Sequence, residues 1–289
     1  MSRQERGVSA SAGRKPFNSL IKLDDQKLHI SVKPGQGRGT PLLICNGIGA
    51  NLELLDPFVD EIEAVDVIRF DVPGTGRSPM PSMPYRLRSL ARMMDRLLDE
   101  LGYDQVDVLG LSWGGFLAQQ FAWSHPRRCR RLILAATVAG GAMVPGRLSA
   151  MAKMLTPRRY NEQGIVEMAA DLYGGVFRTN PELAAQHWRR IRGVRGQGYF
   201  FQMLAAWGWT SVFWLRLIAQ PTLVLTGRDD PLAPPINGWI LASMIPNARM
   251  RELDCGHLFI LTCAREVAEI VRDFLDMENE ADITDAAAA

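Results

Sequence analysis

The sequence predicts an α/β protein built on a mostly parallel sheet flanked by helices, with a helical insertion after the sixth strand. Three observations lead there. Compact β-branched or Leu-rich runs alternate with longer stretches of helical periodicity, the signature of parallel strands joined by crossover helices. Most of the apolar runs end in Gly, Asp or Asn, so their C-terminal ends open into loops, the edge of an open α/β sheet where ligands bind. Between about Val138 and Arg216 the alternation stops, and the segment holds helical patterns, several Gly and Pro, and no buried strand.

Along the chain, Met1–Pro16 is rich in Ser, Gly and Arg and lacks the apolar region of a secretory signal, so a flexible N-terminal tail is expected. Leu28–Val32 alternates like an early, half-exposed strand. Pro41–Cys45, Val65–Phe70, Val106–Leu111, Arg131–Ala135 and Pro221–Thr226 read as buried strands. Leu87–Leu101 sets Leu90, Met93, Met94, Leu97, Leu98 and Leu101 at helical spacing and meets Gly102 as its stop. Gly115–Ser124 is a second helix, closed by His125-Pro126. Ala248–Leu253 is the last strand, and Ala264–Met277 a final helix carrying Val267, Ile270, Val271, Phe274 and Leu275 on one face. The acidic and then all-Ala segment 278–289 is expected to fray. The core therefore comprises 17–137 and 217–277, and the insertion, 138–216, is expected to form a helical lid.

Composition narrows the function. A chain of 289 residues that is 47% hydrophobic buries a substantial core, which excludes disorder as its main state. With 33 basic and 31 acidic side chains the formal charge is +2, without the clustered basic excess that nucleic acid requires. Cys45, Cys129, Cys255 and Cys263 lie far apart with no C-x-x-C pair, so neither a zinc site nor a dense disulfide framework is expected, and a reduced cytoplasmic protein is the simplest reading. Met203–Leu215 is shorter than the roughly 18 apolar residues of a membrane span and contains Gly208, Thr210 and Ser211, so no transmembrane segment is expected.

The sharpest chemical feature is Gly110-Leu111-Ser112-Trp113-Gly114, a G-x-S-x-G run at the junction of a predicted strand and a predicted helix. In that context the serine sits on a tight, strained turn as a nucleophile, and glycines flank it because side chains there would meet the adjoining strand and helix. A hydroxyl needs a general base, usually His, oriented by a carboxylate. Of the four histidines, His29 lies in an early strand and His125 precedes a proline, so both read as surface or structural, and His187 lies in the insertion. His257 follows the last strand at the same sheet edge, which makes it the base. The acid should stand between Ser112 and His257 in sequence, after another strand. Asp229 and Asp230 both qualify; Asp230, in a D-x-x-x-P context, is preferred, and Asp229 reads as a turn residue. Asp254 is a weaker rival, close to His257 in a tight segment.

Acyl transfer also needs N–H donors for the oxyanion of the tetrahedral intermediate. Trp113, the residue after the nucleophile, supplies one, and Ile48, in the loop Cys45-Asn46-Gly47-Ile48-Gly49, supplies the other through its backbone. Asn46, ahead of Gly47 in this loop, is a candidate for contact with substrate. The glycine-rich Asp71–Ser78 lacks a following Lys-Ser/Thr or a dinucleotide fingerprint, so it reads as a structural turn behind the site and implies no cofactor. Trp188, Trp207, Trp209 and Trp214 are four of the seven tryptophans and all fall in the insertion. They either build its own core or line an apolar substrate site.

Together these residues resemble the α/β-hydrolase superfamily over Leu20 to about Phe274. The runs Asn46–Leu54, Ser112–Gly115 with Ala118–Ala122, Met143–Gly146 and Gly208–Ser211 resemble more closely the intracellular depolymerases of medium-chain-length polyhydroxyalkanoates. That resemblance implies an α/β-hydrolase fold, a Ser112–His257–Asp230 acyl-enzyme mechanism without a cofactor or metal, and a polyester granule as partner. It further implies a cytoplasmic, granule-associated enzyme releasing 3-hydroxyalkanoic acids or oligomers. A small-molecule carboxylesterase or a meta-cleavage carbon–carbon bond hydrolase would use the same residues. A binding protein on a hydrolase scaffold is the remote alternative, disfavoured because no member of the triad is missing.

Overall fold

The computed structural model describes residues 15–277, apart from 38, 142, 157, 159–160 and 191–195. Both expected tails lie outside the described residues, save Lys15 and Pro16. Eight strands form one sheet: β1 (Phe17–Leu23), β2 (Gln26–Lys33), β3 (Leu42–Cys45), β4 (Val67–Phe70), β5 (Val106–Leu111), β6 (Cys129–Ala135), β7 (Thr222–Gly227) and β8 (Ala248–Leu253). Their order is β1-β2-β4-β3-β5-β6-β7-β8. β2 runs antiparallel to both β1 and β4, and every later pairing is parallel.

Helices cover both faces of the sheet: α1 (Asp56–Asp60), α2 (Leu87–Leu101), α3 (Trp113–Ser124), α8 (Pro235–Met244), α9 (Phe259–Thr262) and α10 (Ala264–Asp276). The central strand β5 shows why. Its residues alternate, so Val106 and Val108 join a core shared with α2, α3 and α8, whereas Leu109 and Leu111 join a second core shared with α1, α9 and α10. A strand buried on both faces reads as a near-continuous apolar run, and all six residues of β5 are buried, the one charge among them, Asp107, being paired with Arg130. α2 spans the expected residues and stops at Gly102, whose left-handed φ of 71° caps the helix without a Cβ penalty.

The segment between β6 and β7 carries α4 (Leu148–Met154), α5 (Glu162–Tyr173), α6 (Pro181–Arg190) and α7 (Gly196–Ala206). Among the described residues it adds no strand to the sheet, and it makes an isolated bridge, Gly140 with Thr210. Met168, Ala169, Leu172, Tyr173 and Phe177 form a small core of its own, closed from below by Leu258 of the sheet domain. Among the described residues no helix is long and apolar enough to cross a membrane. The spacing suggests no dense disulfide framework and a reduced protein, whereas the turn through α9 brings Cys255 and Cys263 together as one disulfide. Cys45 and Cys129 are buried free thiols, and burial pushes both above the usual thiol range.

Candidate active site

Ser112 is the hinge between β5 and α3. Its backbone, at φ 52° and ψ −118°, lies where non-glycine residues are seldom found. Neighbouring strands hold it there: its N–H donates to the Ala135 carbonyl at 2.8 Å, and its carbonyl accepts from Thr137 Oγ1 at 2.7 Å. The flanking glycines are required by contact. A Cβ on Gly114 would stand 2.0 Å from the Cys45 carbonyl oxygen, and one on Gly110 would stand 2.5 Å from that of Gly114.

The loops after β7 and β8 complete the constellation. His257 Nε2 is 3.0 Å from Ser112 Oγ, and His257 Nδ1 is 2.7 Å from Asp230 Oδ2. The other Asp230 oxygen accepts from the N–H groups of Leu232 and Ala233, both at 2.8 Å. Asp230 is 5% exposed and His257 4%. A carboxylate on Nδ1 favours the tautomer whose Nε2 is free to accept the serine proton. The two rival carboxylates face elsewhere. Asp229 accepts from the Gly175 N–H at 2.7 Å and from both arms of Arg178, which holds its carboxyl below the usual range. Asp254 is open to solvent beside Arg228.

Residues 40–263 match the alpha/beta hydrolase fold family. The chain belongs to that family. It is 50% identical to the poly(3-hydroxyalkanoate) depolymerase of Ectopseudomonas oleovorans over 90% of this chain and 93% of that one. It is also 30% identical to the 2-hydroxymuconate semialdehyde hydrolase of Pseudomonas putida over 83% of this chain and 88% of that one. The crystal structure of the enol-lactonase from Burkholderia xenovorans LB400 shares the fold, with a TM-score of 0.79 at 24% identity, covering 90% of this chain and all of that one.

In this α/β-hydrolase the Ser112–His257 pair faces a cavity under the insertion. Its walls are largely apolar: Ile48, Ala50 and Leu54 from one side, Met154 and Ile165 from the insertion, and Leu232 and Leu258 from the acid and base loops. Trp113 opens α3, so its N–H belongs to the first-turn donors that have no intrahelical acceptor. Ile48 lines the cavity. Asn46 also lines the cavity, but its side chain ties its own loop together, donating to the Asn51 carbonyl and accepting from the Gly47 N–H, each at 2.8 Å.

The four tryptophans of the insertion go to different places. Trp188, on α6, lines the cavity. Trp209 stacks on Phe116 and donates its indole N–H to Gln120 Oε1, while Trp214 stacks on Trp123. Both are structural, away from the cavity lining. Trp207 points outward, 86% exposed. Sequence reading passes over His187, which α6 also brings to the cavity wall, with its ring against Tyr173 and Phe177. It also passes over Gln202 of α7, fully buried, whose Oε1 accepts the Gly49 N–H at 2.7 Å and whose carbonyl accepts the Trp113 indole N–H at 2.9 Å. Adjacency of His187 to Trp188 is the only signal for the first; nothing local marks the second.

The Asp71–Ser78 turn is organised by its own carboxylate. Asp71 accepts from the Leu52 and Arg77 N–H groups and pairs with His29 Nδ1 at 2.8 Å, and burial raises its carboxyl above the usual range. His29 is thus a buried structural residue, not a surface one. Among the described residues no group of three or more His, Cys, Asp or Glu is placed to hold a metal ion.

Proposed function

We propose that the protein is a serine hydrolase that cleaves the ester bonds of an intracellular medium-chain-length poly(3-hydroxyalkanoate). The observation that carries the reaction is the continuous relay from Ser112 Oγ through the His257 ring to Asp230, at the mouth of an apolar cavity. The 50% identity with the E. oleovorans depolymerase supports the polyester as substrate.

In this reading Ser112 Oγ attacks the ester carbonyl as His257 Nε2 takes its proton. The Ile48 and Trp113 N–H groups receive the oxyanion. His257 then returns the proton to the departing 3-hydroxyl oxygen, and Asp230 stabilises the imidazolium in between without itself taking the proton. Water, activated by the same imidazole, releases a 3-hydroxyalkanoic acid or oligomer from Ser112. Trp188 and the apolar walls accommodate the alkyl side chains. The protein acts in the cytoplasm at polyester granules, and the granule contact is supported by Trp207 and Phe213, each 86% exposed within one short stretch of the insertion, and Leu217, 68% exposed just beyond it.

The test is a panel of substrates given to the purified protein: medium-chain and short-chain polyester, a soluble octanoate ester, and 2-hydroxymuconate semialdehyde. The proposal expects 3-hydroxy acids from the medium-chain polymer at the highest rate. Turnover of the semialdehyde, the compound for which the P. putida hydrolase is named, with none of either polyester would instead favour the carbon–carbon bond hydrolase reading.

A further inference from the structure

The acid and base loops do not stand alone: a strip of the insertion, residues 173–178, is threaded between them. Its contacts reach both. The Tyr173 carbonyl accepts the backbone N–H of His257 at 2.7 Å. Two residues on, the Gly175 N–H donates to Asp229 Oδ2 at 2.7 Å, and Arg178 grips the same carboxylate through Nε at 2.5 Å and Nη2 at 2.9 Å. The Asp229 N–H in turn donates to the Cys255 carbonyl at 3.0 Å, tying the acid loop to the base loop.

The fit leaves no slack. A Cβ on Gly174 would lie 2.0 Å from the Asp229 carbonyl oxygen, one on Gly175 would lie 2.4 Å from the Gly256 nitrogen, and one on Gly256 would lie 2.0 Å from the Tyr173 carbonyl oxygen. Gly174 and Gly175 both have positive φ, 61° and 53°, so the strip turns sharply where it enters the gap. Asp229 directly precedes Asp230 in sequence and His257 is itself the proposed base, so the strip contacts both loops of the relay.

We propose that this strip is a buttress for the catalytic relay, with Arg178 as a positioning residue acting through Asp229, so that Asp230 and His257 are in register only while the insertion is seated. A bidentate guanidinium–carboxylate pair fixes direction as well as distance, which suits it to this role. The inference rests on the serine-hydrolase reading and deepens it. It assigns the insertion a part in turnover that is separate from covering the substrate.

The two parts are distinguished by acyl length. A covering role acts on long acyl chains, chiefly through KM; a buttress acts on kcat for every ester, including one too small to reach the insertion. The experiment measures kcat and KM for p-nitrophenyl acetate and octanoate with wild type, Arg178→Ala, Arg178→Lys, Asp229→Asn and the Arg178→Ala/Asp229→Asn double variant, with circular dichroism melts alongside. Wild-type turnover and its absence in Ser112→Ala establish the underlying reading independently. The buttress predicts that Arg178→Ala loses roughly 10- to 100-fold in kcat, the scale of sub-ångström misplacement, equally on both esters and with KM little changed. Arg178→Lys recovers part of that loss, and the double variant is no slower than the slower single one. A kcat on acetate within about twofold of wild type in folded Arg178→Ala or Asp229→Asn overturns the proposal, as does a loss confined to octanoate or to KM. Additive losses in the double variant overturn it too.

Discussion

At the sheet edge Ser112 follows β5 directly, while Asp230 and His257 come a few residues after β7 and β8; the adjoining end of β6 holds Ser112, and the acid loop's own N–H groups hold Asp230. Across the cavity the insertion meets the same loops through partners far away in sequence: Gln202 with Gly49, Arg178 with Asp229, and Tyr173 with His257. In the proposed reaction the first region supplies the reacting atoms, and the second lines the cavity beside them and contacts their loops. The difference teaches that the reacting groups and their alignment are encoded in different parts of the chain. Substitutions should therefore fall into three kinds: those that abolish turnover on any ester, those in the strip 173–178 that lower it on every ester alike, and those elsewhere on the insertion whose cost depends on the substrate.

The largest effect is expected from Ser112→Ala. It removes the nucleophile and only one atom from a turn whose conformation is held by backbone bonds, so hydrolysis should fall by about 10⁴-fold or more while the melting temperature stays close to wild type. A large loss of stability with it would mean that the hydroxyl also holds the turn, and would blur the division between the regions.

A smaller, substrate-dependent effect is expected on the outer face of the insertion. Replacing Trp207 and Phe213 by Ser should cost roughly 5- to 10-fold on suspended polymer, the scale of partly uncovering one large apolar side chain, and leave a soluble octanoate ester untouched. Equal losses on both would place these side chains in packing or in the pocket, instead of at the polymer surface.

The smallest effect concerns acid. Arg178 depresses the Asp229 carboxyl, so the stabilisation from this pair is complete above the unfolded value of about 3.9 and is lost as pH falls through the lower folded value. Asp229→Asn should then be less stable than wild type by a constant amount above about pH 5, with the gap closing below about pH 4. Urea midpoints across that range check it; a gap that widens in acid would contradict the sign. Both partners are about a third exposed, so salt should reduce the gap.

What the sequence made legible follows the same division. β5, the Ser112 elbow and α3 could be read because a doubly buried strand, a glycine-flanked turn and a helix start are local signals. The stripe of α2 and the face of α10 were equally clear, since both bury one side only. β1 was not, because this edge strand exposes nearly all of its side chains and so lacks an apolar pattern. The choice between Asp229 and Asp230 turns on which carboxylate meets His257 and which meets Arg178, and spacing alone cannot show that. Trp188 and Trp209 look alike in composition, yet one lines the cavity and the other stacks on Phe116, an outcome of tertiary packing. The Cys255–Cys263 pair depends likewise on how the α9 turn folds back.

The central claim is that a polyester acyl group passes through Ser112. Its most direct test is to mix the enzyme with medium-chain poly(3-hydroxyalkanoate), quench in acid, and weigh the peptide that contains residue 112. The account predicts a transient 3-hydroxyacyl ester on Ser112, absent from Ser112→Ala together with acid release. Polymer cleavage that persists in Ser112→Ala, or an adduct at another residue, would contradict it.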